Sequence, residues 1–207
     1  MKPNASLRRW ITGAGICLIV GCALAAESSP ESWTRLFNGK DLAGWAPVHD
    51  VSFEAKNGNL RLVKGMGWLR TEKQYGDFIL EFECRALEEK YDSGFFFRAG
   101  LEGQPWPKEG WQLNLRYDAL LGLVQGFRPV VPSETARIPV NQWFKVRLEV
   151  RGRTAVLDVD GERAWETDKL EARRGYLGIQ AENKSFDFRA IRILELDRAP
   201  EKGRARS

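Results

Sequence analysis

Three short stretches of the 207-residue chain set polar side chains at alternate positions against apolar ones. In Trp111-Gln112-Leu113-Asn114-Leu115-Arg116-Tyr117 the apolar residues take one phase, and Gln112, Asn114 and Arg116 take the other. Amides and a guanidinium supply donors and acceptors without a balancing row of opposite charge, a vocabulary suited to sugar hydroxyls. In Phe95-Phe96-Phe97-Arg98, an inward role for Phe95 and Phe97 sends Phe96 and Arg98 outward. Gln180 and Glu182 share a phase opposite Leu177, Ile179 and Ala181. If these segments are neighbours, Arg98, Gln112, Asn114, Gln180 and Glu182 line one floor. A mixed, solvated sheet face is the competing reading of the same alternation.

Flat indoles can stack on sugar rings. Trp106, in the turn-rich Gly103-Gln104-Pro105-Trp106-Pro107, and Trp68 are the platform candidates, whereas Trp143 begins an amphipathic segment and reads as structural. Familiar catalytic signatures are missing: there is no Gly-x-Ser-x-Gly elbow, no His-Glu-x-x-His and no phosphate-binding Gly-rich loop. Asp158-Val159-Asp160-Gly161-Glu162 lacks the twelve-residue calcium frame and reads as a hairpin turn. Glu81, Glu83 and Arg85 share one phase, as a solvated stripe would. Cys84 sits on the apolar phase beside Phe82 and Ala86, the pattern of a buried, inert thiol. The single histidine, His49, follows a proline in a loop-like stretch and reads as an ordinary surface residue.

The elements that must hold these groups are strands. Phe78, Leu80, Phe82, Cys84 and Ala86 alternate with Ile79, Glu81, Glu83 and Arg85; Phe144 to Arg151 does the same. Further period-two runs fall at 60–63, 68–72, 94–99, 111–117, 122–127, 155–159, 163–166, 176–181 and 186–196, separated by turn residues. Some eleven short strands and no helical periodicity predict an all-β protein, two antiparallel sheets packed face to face over residues 33–197.

The flanks differ from this body. Lys2, Arg8 and Arg9 precede the apolar run Ile11–Val20, too short to span a bilayer, so residues 1–21 read as an export signal. Ile19-Val20-Gly21-Cys22 is similar to a lipobox, with Cys22 the lipidated residue; cleavage near Ala23-Leu24-Ala25, or an uncleaved anchor, are the alternatives. The expected location is the periplasm or outer envelope, with membrane contact only through an N-terminal lipid. Residues 22–32 read as a flexible spacer and 198–207 as a basic flexible tail. The formal net charge of +4 comes from these ends. The signal carries +3 and the last ten residues another +3, so 4 − 3 − 3 leaves −2 for the folded part. That balance argues against a nucleic-acid partner. A hydrophobic content of 43% supports a real core, and three cysteines exclude a disulfide-stapled miniprotein.

Ordered motifs then point to a family. LFNGKDLAGW (36–45), Tyr75-Gly76-Asp77-Phe78, DSGFFFR (92–98), NQWFKVRLEVRG (141–152), DVDGERAWE (158–166) and GYLGIQAENKSFDFRAIRILEL (175–196) resemble, in sequence order, the motifs of the 3-keto-disaccharide hydrolase domain family. The resemblance implies a concanavalin A-like jelly roll and an exported protein acting on carbohydrate. It also implies cleavage of 3-keto-glycosides by C2 proton abstraction, elimination at C1 and hydration. Such chemistry needs a base and a stabiliser for the enolate, a role in which a divalent metal is one option. The matching positions Asp92, Ser93, Arg98, Gln180 and Arg189 are retained, with Glu182 the expected base, Asp92 a second catalytic carboxylate and Arg98 and Gln180 holding the ketone and hydroxyls. The chain departs from the pattern where carboxylates are expected: Gln112 and Asn114 stand in the Glu-x-Gln-x-x-Asp strand, and the Asp and His after Gln180 are replaced. Either Glu182, Asp118 and Asp92 supply the carboxylates from shifted positions, or the fold binds glycans without reacting. A docking module for another envelope protein is a third reading.

Overall fold

A computed structural model describes residues 32–171 and 173–196; Cys22, the signal, nearly all of the spacer and the tail lie outside the described residues. No helix occurs among them. The chain runs through β1 (Thr34–Arg35), β2 (Trp45–Lys56), β3 (Asn59–Tyr75), β4 (Phe78–Ala86), β5 (Gly94–Ala99), β6 (Trp111–Asn114) and β7 (Leu123–Gln125). It continues with β8 (Arg128–Val131), β9 (Phe144–Arg151), β10 (Thr154–Val159), β11 (Glu162–Thr167), β12 (Gly175–Glu182) and β13 (Phe186–Glu195). Every pairing is antiparallel.

The strand order is β11-β10-β9-β4-β13-β3-β12-β5-β6-β7-β8, with β1 beside β13 and β2 along β3. This single ladder forms two layers because β3 serves both. Its first part pairs with β13 (Leu60 with Phe188, Leu62 with Phe186), and its second with β12, from Met66 opposite Glu182 to Tyr75 opposite Gly175. The strand turns at Gly65, whose φ of +118° belongs to glycine and where a Cβ would meet the Asp50 carbonyl oxygen at 2.2 Å. Sequence alternation had divided this element at the same place and gave no sign of the mostly half-exposed β2, whose Pro47 sits on an outer strand.

Between the layers lies one core. Phe82 of β4 stacks on Phe95 of β5 with centroids 4.7 Å apart, and Phe78 meets Phe97 edge-on at 6.4 Å. The inward phases of β4 and β9 are buried here, as the alternation predicts. Cys84 is among them, and burial pushes its thiol well above the ordinary range. Asp160 and Gly161, at φ +50° and +89°, make the β10–β11 hairpin turn expected of that dipeptide.

Candidate carbohydrate site

The outer face of the β3-β12-β5-β6-β7-β8 layer carries a cleft of about 450 Å³, within the usual range of small-molecule sites. Its floor is built by register. Phe95 pairs with Ile179 and Leu113, so their side chains all face the core. The opposite phase then presents Gln112, Asn114, Gln180 and Glu182 to the cleft. The Gln112 side-chain amide donates to Gln180 Oε1, and Gln180 Nε2 donates to Glu182 Oε2 at 2.7 Å. Gln112 can reach across because residue 94 is glycine: a Cβ there would lie 2.1 Å from Gln112 Nε2. Beneath the floor, Ser93 Oγ donates to the Gln180 main-chain oxygen at 2.8 Å.

Asp92, Arg116 and Asp118 also line the cleft. Arg116 donates to Asp118. Burial pushes the Glu182 carboxyl up to about 7, the nearby Asp92 charge adds to this, and Arg116 partly offsets it. Burial likewise raises Asp92 to about 6, with Arg116 opposing and Asp118 reinforcing the shift. Two such carboxyls beside one cation in a cleft are groups prepared for proton exchange near neutrality. As a seat for a divalent metal the donor set fits poorly. Asp118 is already bonded to Arg116, and no group of three His, Cys, Asp or Glu converges among the described residues.

Trp106 lines the cleft, its indole N–H donating to the Ala181 carbonyl oxygen at 3.1 Å. Trp68 is not a platform. It is 1% exposed, packed over Gly178 and edge-on to Phe96 at 5.7 Å. Glycine at 178 leaves the slot, since a Cβ there would fall 2.4 Å from the indole. Arg98 is also absent from the floor. Phe97 and Arg98 together oppose Leu177, a bulge in which Arg98 takes φ +51° and leaves the outward phase. Its buried guanidinium donates to Asp77 at 2.8 Å and to the carbonyls of Gly76, Gly152 and Glu171. Arg189 lies on the other layer, paired with Glu83 and stacked 4.0 Å from the Trp143 ring. Glu81 belongs to that layer too; it lines a second cleft of about 470 Å³, where its carboxylate is held by Arg192 and Lys145. His49 is exposed, with Nε2 3.2 Å from the Gly103 carbonyl oxygen.

Phe127 is the cleft residue that alternation missed. It is 67% exposed at the two-residue β7–β8 turn, with Gly126 and Phe127 at φ +50° and +67°. A bulky side chain is uncommon in that conformation, and a Gly-Phe turn between two strand-like runs was the available signal. The ring lies 6.0 Å from Trp106, tilted by 55°.

Residues 32–194 match the 3-keto-alpha-glucoside-1,2-lyase-like domain, and the chain belongs to that family. No curated protein matches it. Among solved structures, a Parabacteroides distasonis protein provisionally described as a glycosyl hydrolase is 21% identical, with TM-score 0.65 over 80% of this chain and 94% of that one. The carbohydrate-binding module CBM66 of Bacillus subtilis is 14% identical, with TM-score 0.63 over 73% and 96% of the two chains. The lumenal domain of VIP36, solved with calcium and Man3GlcNAc, is 10% identical, with TM-score 0.61 over 83% and 92%. These likenesses establish a concanavalin A-like sandwich.

Proposed function

We propose that the cleft takes a 3-keto-glucoside and cleaves it by elimination across C1 and C2, followed by hydration. The observation that carries this reading is the pair Asp92 and Glu182, both raised towards neutrality in one cleft with Arg116. The family's name describes the same bond, and the sandwich likenesses include carbohydrate binders. A C3 ketone acidifies the hydrogen on C2, so a carboxylate is a sufficient base.

Near neutrality the pair shares one proton. The leading charge on Asp92 is Arg116, which favours its ionised form, whereas the leading charge on Glu182 is Asp92, which disfavours ionisation, so the proton is assigned to Glu182. Ionised Asp92 therefore takes the C2 proton, and the C2–H electron pair becomes an enolate shared with the C3 oxygen. That charge develops near the Arg116 guanidinium, the cation of the cleft. The pair then forms the C1–C2 double bond as the C1–O bond breaks, and Glu182 gives its proton to the departing oxygen. Water adds across the double bond and restores a 3-keto sugar. The base role expected of Glu182 thus passes to Asp92, because burial and the neighbouring charge keep Glu182 protonated. Arg116 replaces the buried Arg98 as the ketone's partner.

Leaving-group chemistry tests the roles. On a 3-keto 4-nitrophenyl glucoside, whose phenolate departs without a proton, Glu182→Gln retains most activity. On the 3-keto methyl glucoside it loses at least about a hundredfold. Asp92→Asn loses that much on both. Wild-type protein that turns over neither substrate refutes the reaction. In that case glycan binding abolished by Trp106→Ala would establish the second reading, a binding module, which the neutral amides Gln112 and Asn114 favour.

A further inference from the structure

The sides of the cleft differ in what they can offer a ligand. Gln180 and Glu182 lie on β12, Gln112 and Asn114 on β6, and Asp92, Arg116 and Asp118 on the segments flanking β5 and β6. Beyond β6, at the edge of the sheet, the β7–β8 hairpin and the chain just after it present Val124, Phe127, Pro129, Val131 and Pro132. None of these side chains carries a donor or acceptor. Polar groups that border this wall are already engaged: Gln112, opposite Val124, donates to Gln180. The Trp106 N–H is spent on Ala181, while Ser133 Oγ donates to Leu120 and accepts from the Thr135 amide. A second sugar ring brought against such a wall would bury hydroxyls with no side-chain partner there, and each one left unsatisfied weakens binding.

We infer that the part of the substrate that leaves is apolar: this cleft takes a 3-keto-glucoside of a hydrophobic alcohol or phenol in preference to a keto-disaccharide. The inference rests on the reaction proposed above for its account of which half departs, and on the wall itself for the chemistry of that half. The keto-sugar ring occupies the polar side, with the pair of carboxyls and Arg116 directed to C1 to C3. The aglycone lies between Trp106 and Phe127. Phe127 sits at the tip of a turn, exposed and 6.0 Å from the indole. A flat or cyclic hydrocarbon would close that gap and cover the ring, which is otherwise left in water.

The test uses leaving groups of like chemistry, so that recognition is measured and not leaving ability. The cyclohexylmethyl 3-keto-α-glucoside and 3-keto-isomaltose, with the ketone on its non-reducing ring, both expel a primary alcohol. With wild-type protein the cyclohexylmethyl compound should show at least tenfold higher kcat/KM. With Asp92→Asn, calorimetry should show it binding at least tenfold more tightly. Phe127→Asn, a change at an exposed turn position that Asn's left-handed tolerance suits, should remove most of that preference in both measurements. Equal or better use of 3-keto-isomaltose, or a preference untouched by Phe127→Asn, overturns the aglycone assignment while leaving the reaction standing. No turnover of either compound but tighter binding of the cyclohexylmethyl one overturns the reaction and supports the apolar wall. No binding of either overturns both.

Discussion

Glu182 should weaken the fold at the pH where it is ionised, and Glu182→Gln should relieve that cost without a substrate being present. The carboxyl rises from its ordinary 4.5 to about 7 on folding, chiefly through burial. Between these values the native protein holds a proton that the unfolded chain has released, so stability falls as pH rises and the penalty is complete above about 7. The gap of 7 − 4.5 corresponds to about 3 kcal/mol at most. The side chain keeps some solvent contact, and screening reduces the expected effect to about 1–2 kcal/mol. Glutamine keeps the shape and can still accept from Gln180 Nε2, so the substitution removes charge with little loss of packing. Urea unfolding of both proteins at pH 5 and pH 8 reads the difference. Glu182→Gln should match wild type at pH 5 and exceed it by about 1–2 kcal/mol at pH 8, with an unchanged m-value. Asp92 raises Glu182 electrostatically, so in an Asp92→Asn background the gain at pH 8 should shrink. A variant equally stable or less stable at both pH values would refute the claim that the cleft holds Glu182 against its ionisation, and with it the assignment of Glu182 as the acid.

Two further substitutions separate site from scaffold. Gly94→Ala pushes a methyl into the Gln112 amide at 2.1 Å, the mobile end of a side chain. It should cost less than about 1 kcal/mol of stability, while glycoside affinity by calorimetry falls severalfold; unchanged affinity would show that the Gln112–Gln180 contact does not order the floor. Arg98→Met leaves Asp77 and three carbonyls without their buried donor and should cost about 3–5 kcal/mol in urea unfolding. Binding per folded molecule should be untouched, and a specific loss of affinity would return Arg98 to the site.

Alternation made the floor legible because Gln112, Asn114, Gln180 and Glu182 lie on regular strands whose other phase is strongly apolar. It failed at Arg98, where one extra residue in a bulge reverses the phase, and no residue type announces that bulge. It misplaced Trp68, since an outward indole looks alike in sequence whether it meets water or the bare backbone of Gly178 from a neighbouring strand. Asp92 and Asp118 flank β5 and β6 on loop segments without period, and only the fold brings them to Glu182. The family motifs placed Asp92 in the site, but not the ordering of the two carboxyls, which depends on burial that no pattern encodes.

The double service of β3 also constrains the order in which the chain can fold. β2 and β3 are joined by the short Asn57-Gly58 turn and can zip together as soon as both exist. Their remaining neighbours, β12 and β13, come more than a hundred residues later, and each joins β3 to one layer, through β5 or through β4. A nascent chain that ends before Gly175 holds the β2–β3 hairpin and two four-stranded pieces, β11-β10-β9-β4 and β5-β6-β7-β8, with neither layer complete. The long loop closure falls at the end of synthesis, and pairing across such a separation is intrinsically slow. The carboxylate of Glu182 arrives at the end of β12, the strand that closes the cleft's own layer. β13 then follows to tie β3 to the other one, so the chemistry of the cleft waits on the first of these two closures.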